Sequence, residues 1–197
     1  VTHMNLKQLR QEELEQQKRD RREHIVSCAL VVFEERGIDQ STMNEIAKVS
    51  QVGVATVFRY FESKKQLVIE AAQLLWENEY HSLSNFLPAD YNELNGLNQL
   101  QQILSVFKYY YHKRPEIFRF LEQFDNYVAK EKIELSELEV YEHHVLALKK
   151  PILNAINKGR IDHSIRSDFD EALFYITITH QLVSLVSKLI LRGQILS

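Results

Sequence analysis

The sequence predicts an all-α protein, and three observations carry that prediction. Only five Gly and three Pro interrupt 197 residues, of which 45% are hydrophobic, so long stretches lack loop punctuation. Apolar positions recur at helical spacing, and no alternating run competes for a strand. The segment Gly37 to Leu67, GIDQSTMNEIAKVSQVGVATVFRYFESKKQL, holds two short helical patterns at helix-turn-helix spacing and the capped start of a third.

Val1 to His3, ahead of Met4, read as a cloning remnant. From Leu6 to Glu23 the chain is rich in Gln, Glu, Lys and Arg, strong helix formers. The helix that follows turns Ile25, Cys28, Ala29 and Val32 inward; Cys28 reads as a small core hydrophobe, has no disulfide partner in the chain, and fits a reducing cytoplasm. Thr42 stands three residues before Glu45 in a capping-box relation, so a helix starts at Met43 and buries Met43, Ile46 and Ala47. β-branched residues and Gly53 end it after about two turns. From Val54 a second segment turns Val57 and Phe61 inward and leaves Thr56, Arg59 and Tyr60 outside, where such a helix can meet DNA. Ser63 and Gln66 repeat the capping pattern, which starts a third helix at Lys64 and brings its positive amide end near Tyr60, a setting that suits a phosphate.

That third helix continues through Ala71, Leu74 and Leu75 toward Phe86, until Pro88 stops it. Further helices are expected from about Leu94 to His112, from Pro115 for a short span, and from about Lys130 to Lys158, kinked at Pro151 and ended by Gly159. A last helix begins near Asp168, capped by Ser167 or Asp168, and runs through Phe174, Ile178, Leu182, Leu185 and Leu189. It is apolar around much of its circumference and needs cover on several sides. Aromatic residues from Phe107 to Tyr127 read either as core or as the wall of a ligand cavity, with Glu122, Asp125 and His180 as its polar groups. Both acids facing inward would suit a cationic, hydrophobic ligand.

The order Gly, then T-x-x-x-I-A, then T-V-F-R-Y-F-x-S-K-x-x-L resembles the DNA-binding domain of the TetR/AcrR family of regulators, over residues 22 to 69, about a quarter of the chain. The resemblance implies an N-terminal three-helix helix-turn-helix domain and a larger helical C-terminal domain that binds an effector and dimerises. It implies a homodimer in which the last long helices pair with their twins as a four-helix bundle. The expected organisation is residues 1–20 as remnant and charged extension, 21–69 as the DNA-binding domain, and 70–197 as the ligand-binding and dimerisation domain. The sequence departs from the family pattern at Gln51, where Gly is usual in the turn, at Gly53, where Ser or Thr commonly opens the recognition helix, and at Phe58, where Tyr is usual.

On this reading Val54 and Ala55 are candidate apolar contacts to base edges, Thr56 and Arg59 polar ones, and Asn44 a lesser one. Thr42, Tyr60 and Lys64 are placed for phosphates. Lys18, Arg19, Arg21 and Arg22 read as backbone contacts or as a solvated extension balanced by Glu12, Glu13 and Glu15. The candidate effector residues are Phe107, Tyr110, Phe118, Glu122, Asp125 and His180, for an apolar or aromatic small molecule.

The chain carries 24 basic and 27 acidic residues, a net charge of -3. Residues 1–65 are nearly balanced and the excess acid lies beyond them, so DNA affinity rests on a few placed cations and amide ends. No Gly-rich phosphate loop, G-x-S-x-G or di-iron Glu-x-x-His spacing is present. The adjacent His143 and His144 diverge on a helix, so no enzyme, cofactor or metal site is expected. The apolar stretch near Ile176 to Leu191 is interrupted by polar residues, and a cytoplasmic protein without a membrane span is expected. The sequence thus predicts a ligand-responsive transcriptional regulator, with repression of a (pseudo)palindromic operator as its expected action. The alternative is a helical interaction protein whose DNA-binding domain is degenerate, as Gln51, Phe58 and the low net charge would suit.

Overall fold

The computed structural model describes residues 6–147 and 149–196; Val1 to His3 lie outside the described residues. Among these the regular structure is helical: α1 (Leu6–Arg36), α2 (Met43–Val49), α3 (Val54–Tyr60), α4 (Lys64–Phe86), α5 (Gly96–Lys113), α6 (Pro115–Glu131), α7 (Glu139–Ala147), α8 (Lys149–Ile161) and α9 (Glu171–Leu196), with short 3-10 turns at Tyr91–Glu93 and Leu135–Glu137. The chain divides into two compact units, Val1–Leu74 and Leu75–Ser197, and α4 belongs to both.

In the first unit the core is built from one face of each helix. Ile25, Ala29, Val32 and Phe33 of α1, Ile46 and Ala47 of α2, Val57 of α3 and Leu67, Val68 and Ala71 of α4 are at most 2% exposed. Cys28, expected inside, is only half-buried, because its neighbours on α1 carry the packing. The Thr42 hydroxyl accepts from the Glu45 amide at 3.2 Å and the Glu45 carboxylate accepts from the Thr42 amide at 2.8 Å, which fixes the start of α2. Its end is a left-handed residue: Gln51 has φ 55°, and the Val52 amide reaches back to the Ala47 carbonyl at 3.0 Å. The turn therefore keeps the shape that glycine would favour, with a side chain in its place.

In the second unit α5 and α8 pack most closely. A Cβ on Gly96 would stand 2.0 Å from the Gly159 nitrogen, so the two backbones touch where neither residue has a side chain. Asp162 and Ser164 accept from the Gly96 and Leu97 amides at 2.8 and 3.0 Å, and Asn95 caps Asn98 at 2.9 Å, which ties the start of α5 to the chain after α8.

Several element boundaries differ from those expected. α6 opens at Pro115 but runs 17 residues, since Ile117, Phe118, Phe120, Leu121, Phe124 and Tyr127 form one buried stripe. It ends at Lys132 in the left-handed region, φ 52°. The expected helix from Lys130 therefore starts at Glu139 instead, and Gly159 lies inside α8, where it is needed for close packing and not as a terminator. The last helix starts at Glu171, with Asp170 accepting from the Leu173 amide at 2.8 Å. Contrary to expectation, Glu171–Ile190 is long and apolar enough to cross a membrane by length and composition.

Candidate functional site

The helix-turn-helix of the first unit is held from behind by α1. Val57, fully buried, fixes the inner face of α3, and the outer face is left to Val54, Ala55, Phe58 and Arg59. Phe58 is 51% exposed, a large apolar ring that the unit leaves uncovered; sequence reasoning noted its departure from Tyr but did not count it among the site residues. Ala55 and Asn44 are exposed, Val54 and Thr56 partly so. The Arg59 guanidinium lies 5.6 Å from the Tyr60 ring centre, and both residues line a surface groove of about 670 Å³ with Gln17, Lys18, Arg21 and His24 of α1.

The phosphate candidates divide. Thr42 is exposed but its hydroxyl is engaged with Glu45, whose carboxyl that contact and Arg36 hold below the usual carboxylate range. Tyr60 and Lys64 are half-buried, at the end of α3 and the first residue of α4. In the basic cluster Lys18 pairs with Glu15 at 2.7 Å, and Arg19 donates to Gln16 at 2.7 Å. Arg22 faces the other way: it forks onto Glu70, donates to the Tyr60 carbonyl at 2.6 Å, and stands 4.4 Å from the Phe61 ring centre. Its place is structural, leaving Arg21 and Lys18 as the cations that α1 brings to the groove beside Arg59.

In the second unit α5, α6, α7 and α9 surround a cavity of about 680 Å³. Phe107, Tyr110, Phe118, Glu122, Asp125 and His180, the six residues singled out from sequence, all line it. Sequence reasoning missed Trp76, Glu79, Tyr141 and Lys188, because they come from α4, α7 and the far end of α9, and no periodicity within one segment brings them together. The Tyr110 hydroxyl donates to Glu79, itself 7% exposed, and an Arg114 nitrogen lies 3.7 Å from the same carboxylate. Burial, then the Glu79 carboxylate, push the Tyr110 hydroxyl far above its ordinary range. Burial likewise pushes Tyr141 up to about 12. Desolvation raises the Asp125 carboxyl; His180 opposes that rise and Glu122 adds to it. The cavity thus has an apolar, aromatic body and a polar edge formed by α6 and α9, an arrangement that suits capture of a small molecule.

Comparison with known proteins agrees with both halves of this picture. Residues 25–71 match the family described as bacterial regulatory proteins, tetR family. The chain is 23% identical over 158 residues, 79% of its length, to the HTH-type transcriptional repressor KstR2 of Mycolicibacterium smegmatis, covering 72% of that protein. Over 67 residues, 34% of this chain and 31% of the other, it is 39% identical to the HTH-type transcriptional regulator LuxR of Vibrio harveyi. In fold it is similar to the transcriptional regulator FadR from Bacillus subtilis in complex with stearoyl-CoA, with a TM-score of 0.59, 18% identity, and 87% and 88% of the two chains covered. The match over residues 25–71 makes the first unit a DNA-binding domain of the tetR family, and with the helical second unit and its cavity it identifies a ligand-responsive, DNA-binding transcriptional regulator.

Proposed function

We propose that the protein is a repressor that binds an inverted-repeat operator as a homodimer and leaves it when a small, largely apolar effector enters the cavity of the second unit. The observation that carries this reading is the pairing, in one chain, of an outward-facing α3 with a cavity wide enough for a small molecule. Val54, Ala55, Thr56, Phe58 and Arg59 would meet base edges, with Asn44 beside them, and Thr42, Tyr60 and Lys64 the phosphates. α4 supplies Lys64 at its first residue and Trp76 and Glu79 to the cavity wall. An effector that displaces either of the latter acts on the helix that closes the DNA-binding unit, and a coupling of about 1 to 3 kcal/mol would change operator affinity 5- to 150-fold.

The outward stripe of α9 supports the homodimer. Leu173, Leu185 and Leu189 are 43% to 65% exposed, more apolar surface than a lone soluble helix carries. Exposed Thr177 and Gln181 lie on the side of α9 away from the cavity, a mixture that fits a second protein copy, placed isologously, better than lipid. With no membrane span required, the protein acts in the cytoplasm, and no catalytic role is assigned to it.

Selection of bound duplexes from a random DNA library by the purified chain, at two salt concentrations, tests the reading. Enrichment of an inverted repeat is expected. Enrichment of nothing, with binding that vanishes as salt rises, would leave only backbone attraction and favour a degenerate domain.

A further inference from the structure

We infer that the cavity of the second unit selects a hydrophobic cation: an amine, quaternary ammonium or phosphonium group carried on an apolar body. The inference rests on the effector-responsive reading above and names the ligand class for the same site. Three carboxylates line the cavity, Glu79, Glu122 and Asp125, against one ammonium, Lys188. Glu79 is already engaged by Tyr110 and faced by Arg114. The pair on α6, Glu122 and Asp125, stands three residues apart, so the two lie on one face of the helix. Around them the wall is apolar and aromatic, with Trp76, Tyr110, Tyr141 and Tyr175 among the lining rings.

Each part of this arrangement favours a cation. Two carboxylates brought together at the edge of an apolar chamber repel each other, and desolvation penalises their charge, as the raised Asp125 carboxyl records. A ligand cation relieves both effects at once, whereas a carboxylate or phosphate head would add to them. Aromatic faces add attraction for a weakly hydrated cation, and more so once it is desolvated. The Trp76 indole nitrogen faces the Tyr141 hydroxyl, and both rings lie on the same wall. Lys188 and His180, on α9, bound the same polar edge and set a limit on the preference: the excess of negative charge, not an absence of positive charge, is what selects.

Tetraphenylphosphonium and tetraphenylborate share size and shape and differ in the sign of their charge, which isolates the point at issue. Trp76 is the only tryptophan in the chain and lies in the cavity wall, so its fluorescence reports occupancy directly. The full chain is titrated with each probe in turn. Saturable quenching by the cation at a Kd at least tenfold below that of the anion is expected, and the double variant Glu122→Gln, Asp125→Asn should remove that preference. Equal or tighter binding of the anion, binding of neither probe, or a preference that survives in a folded double variant would overturn the inference. Because the readout needs no DNA, a charge preference without any operator response would count against the repressor reading and leave the ligand class standing.

Discussion

The guanidinium of Arg22 forks onto the carboxylate of Glu70, 48 residues later in the chain. The same group donates to the Tyr60 carbonyl at 2.6 Å and lies 4.4 Å from the Phe61 ring centre. One side chain thus joins α1, the last residue of the recognition helix and α4. The pair is part-buried, with side chains 33% and 23% exposed, so solvent screens it less than a surface ion pair. We expect Arg22→Ala to lower the stability of the first unit by about 2 kcal/mol, from lost charge-assisted hydrogen bonds and an unpaired Glu70. Arg22→Lys should recover little, because an ammonium cannot reproduce the fork. Chemical denaturation of the three proteins checks this, and a Lys variant equal to wild type would remove the geometric argument.

Gln51 holds φ 55° in the turn between α2 and α3. A non-glycine residue there costs about 1 kcal/mol or more. Its side chain is exposed, so replacing it removes little packing. Gln51→Gly should raise the midpoint of thermal unfolding, by an amount corresponding to about 0.5 to 1 kcal/mol once the greater freedom of the unfolded chain is subtracted. A lowered midpoint would mean that the Gln51 side chain contributes contacts that outweigh the strain.

The parts of this molecule that were legible in sequence are those set by residues a few positions apart. The Thr42–Glu45 capping box, the Ser63 cap on the Gln66 amide at 3.3 Å and the inward stripe of α2 all follow from such spacing. The end of α6 was not legible, because its left-handed residue is Lys132 and not a glycine. Gly159 reads locally as a terminator, since nothing near it in sequence shows that Gly96 lies against it. In the cavity, one aromatic run supplied Phe107, Tyr110 and Phe118, whereas Trp76 and Tyr141 join them only through the packing of distant helices. Arg22 belongs to the same class: its sequence neighbours are cations, but its partner is Glu70.

That close approach makes a sharp prediction. A methyl group on Gly96 would meet the Gly159 nitrogen at 2.0 Å and its Cα at 2.3 Å, and the Ala155 carbonyl oxygen at 2.5 Å. All three are backbone atoms, which no rotamer change can move aside. Gly96→Ala should cost about 3 kcal/mol by forcing α5 and α8 apart, at the upper end of what overpacking does. Its distance in sequence from the helix-turn-helix permits a control: DNA affinity measured well below the melting temperature should change less than stability does.

The carboxyl of Asp162 is held below its usual range by the Ser164 hydroxyl and then by the Gly96 amide. A depressed folded-state value stabilises the protein above the unfolded value, near about 3.9, and the contribution fades as pH falls through the folded value. Asp162→Asn keeps an acceptor for the Gly96 amide but cannot titrate. Its melting temperature should therefore fall less steeply than that of wild type below about pH 4. Parallel curves for the two proteins would show that Asp162 contributes nothing to acid sensitivity.

Phe58 and Arg59 stand side by side on α3 and predict different losses. Phe58 has no group that can bond a phosphate or a base edge, so its exposed ring can gain only from apolar contact, and the thymine methyl is the apolar feature of the major groove. Arg59 can read guanine, but its guanidinium lies over Tyr60 and must swing away to do so. Once an operator is selected, Phe58→Ala should weaken binding by about 1 to 2 kcal/mol, roughly 5- to 30-fold, with stability changed by less than about 0.5 kcal/mol because the ring is uncovered. Replacing each operator thymine in turn by uracil should reproduce that loss at one position per half-site for the wild type and have no further effect there on Phe58→Ala. Arg59→Ala should leave the uracil effect intact while relaxing preference at a guanine or lowering the salt dependence of binding by about one phosphate contact. If uracil substitution weakens wild type and Phe58→Ala equally at every position, the ring does not read the methyl, and sequence preference must come from Thr56, Arg59 and the shape of the DNA.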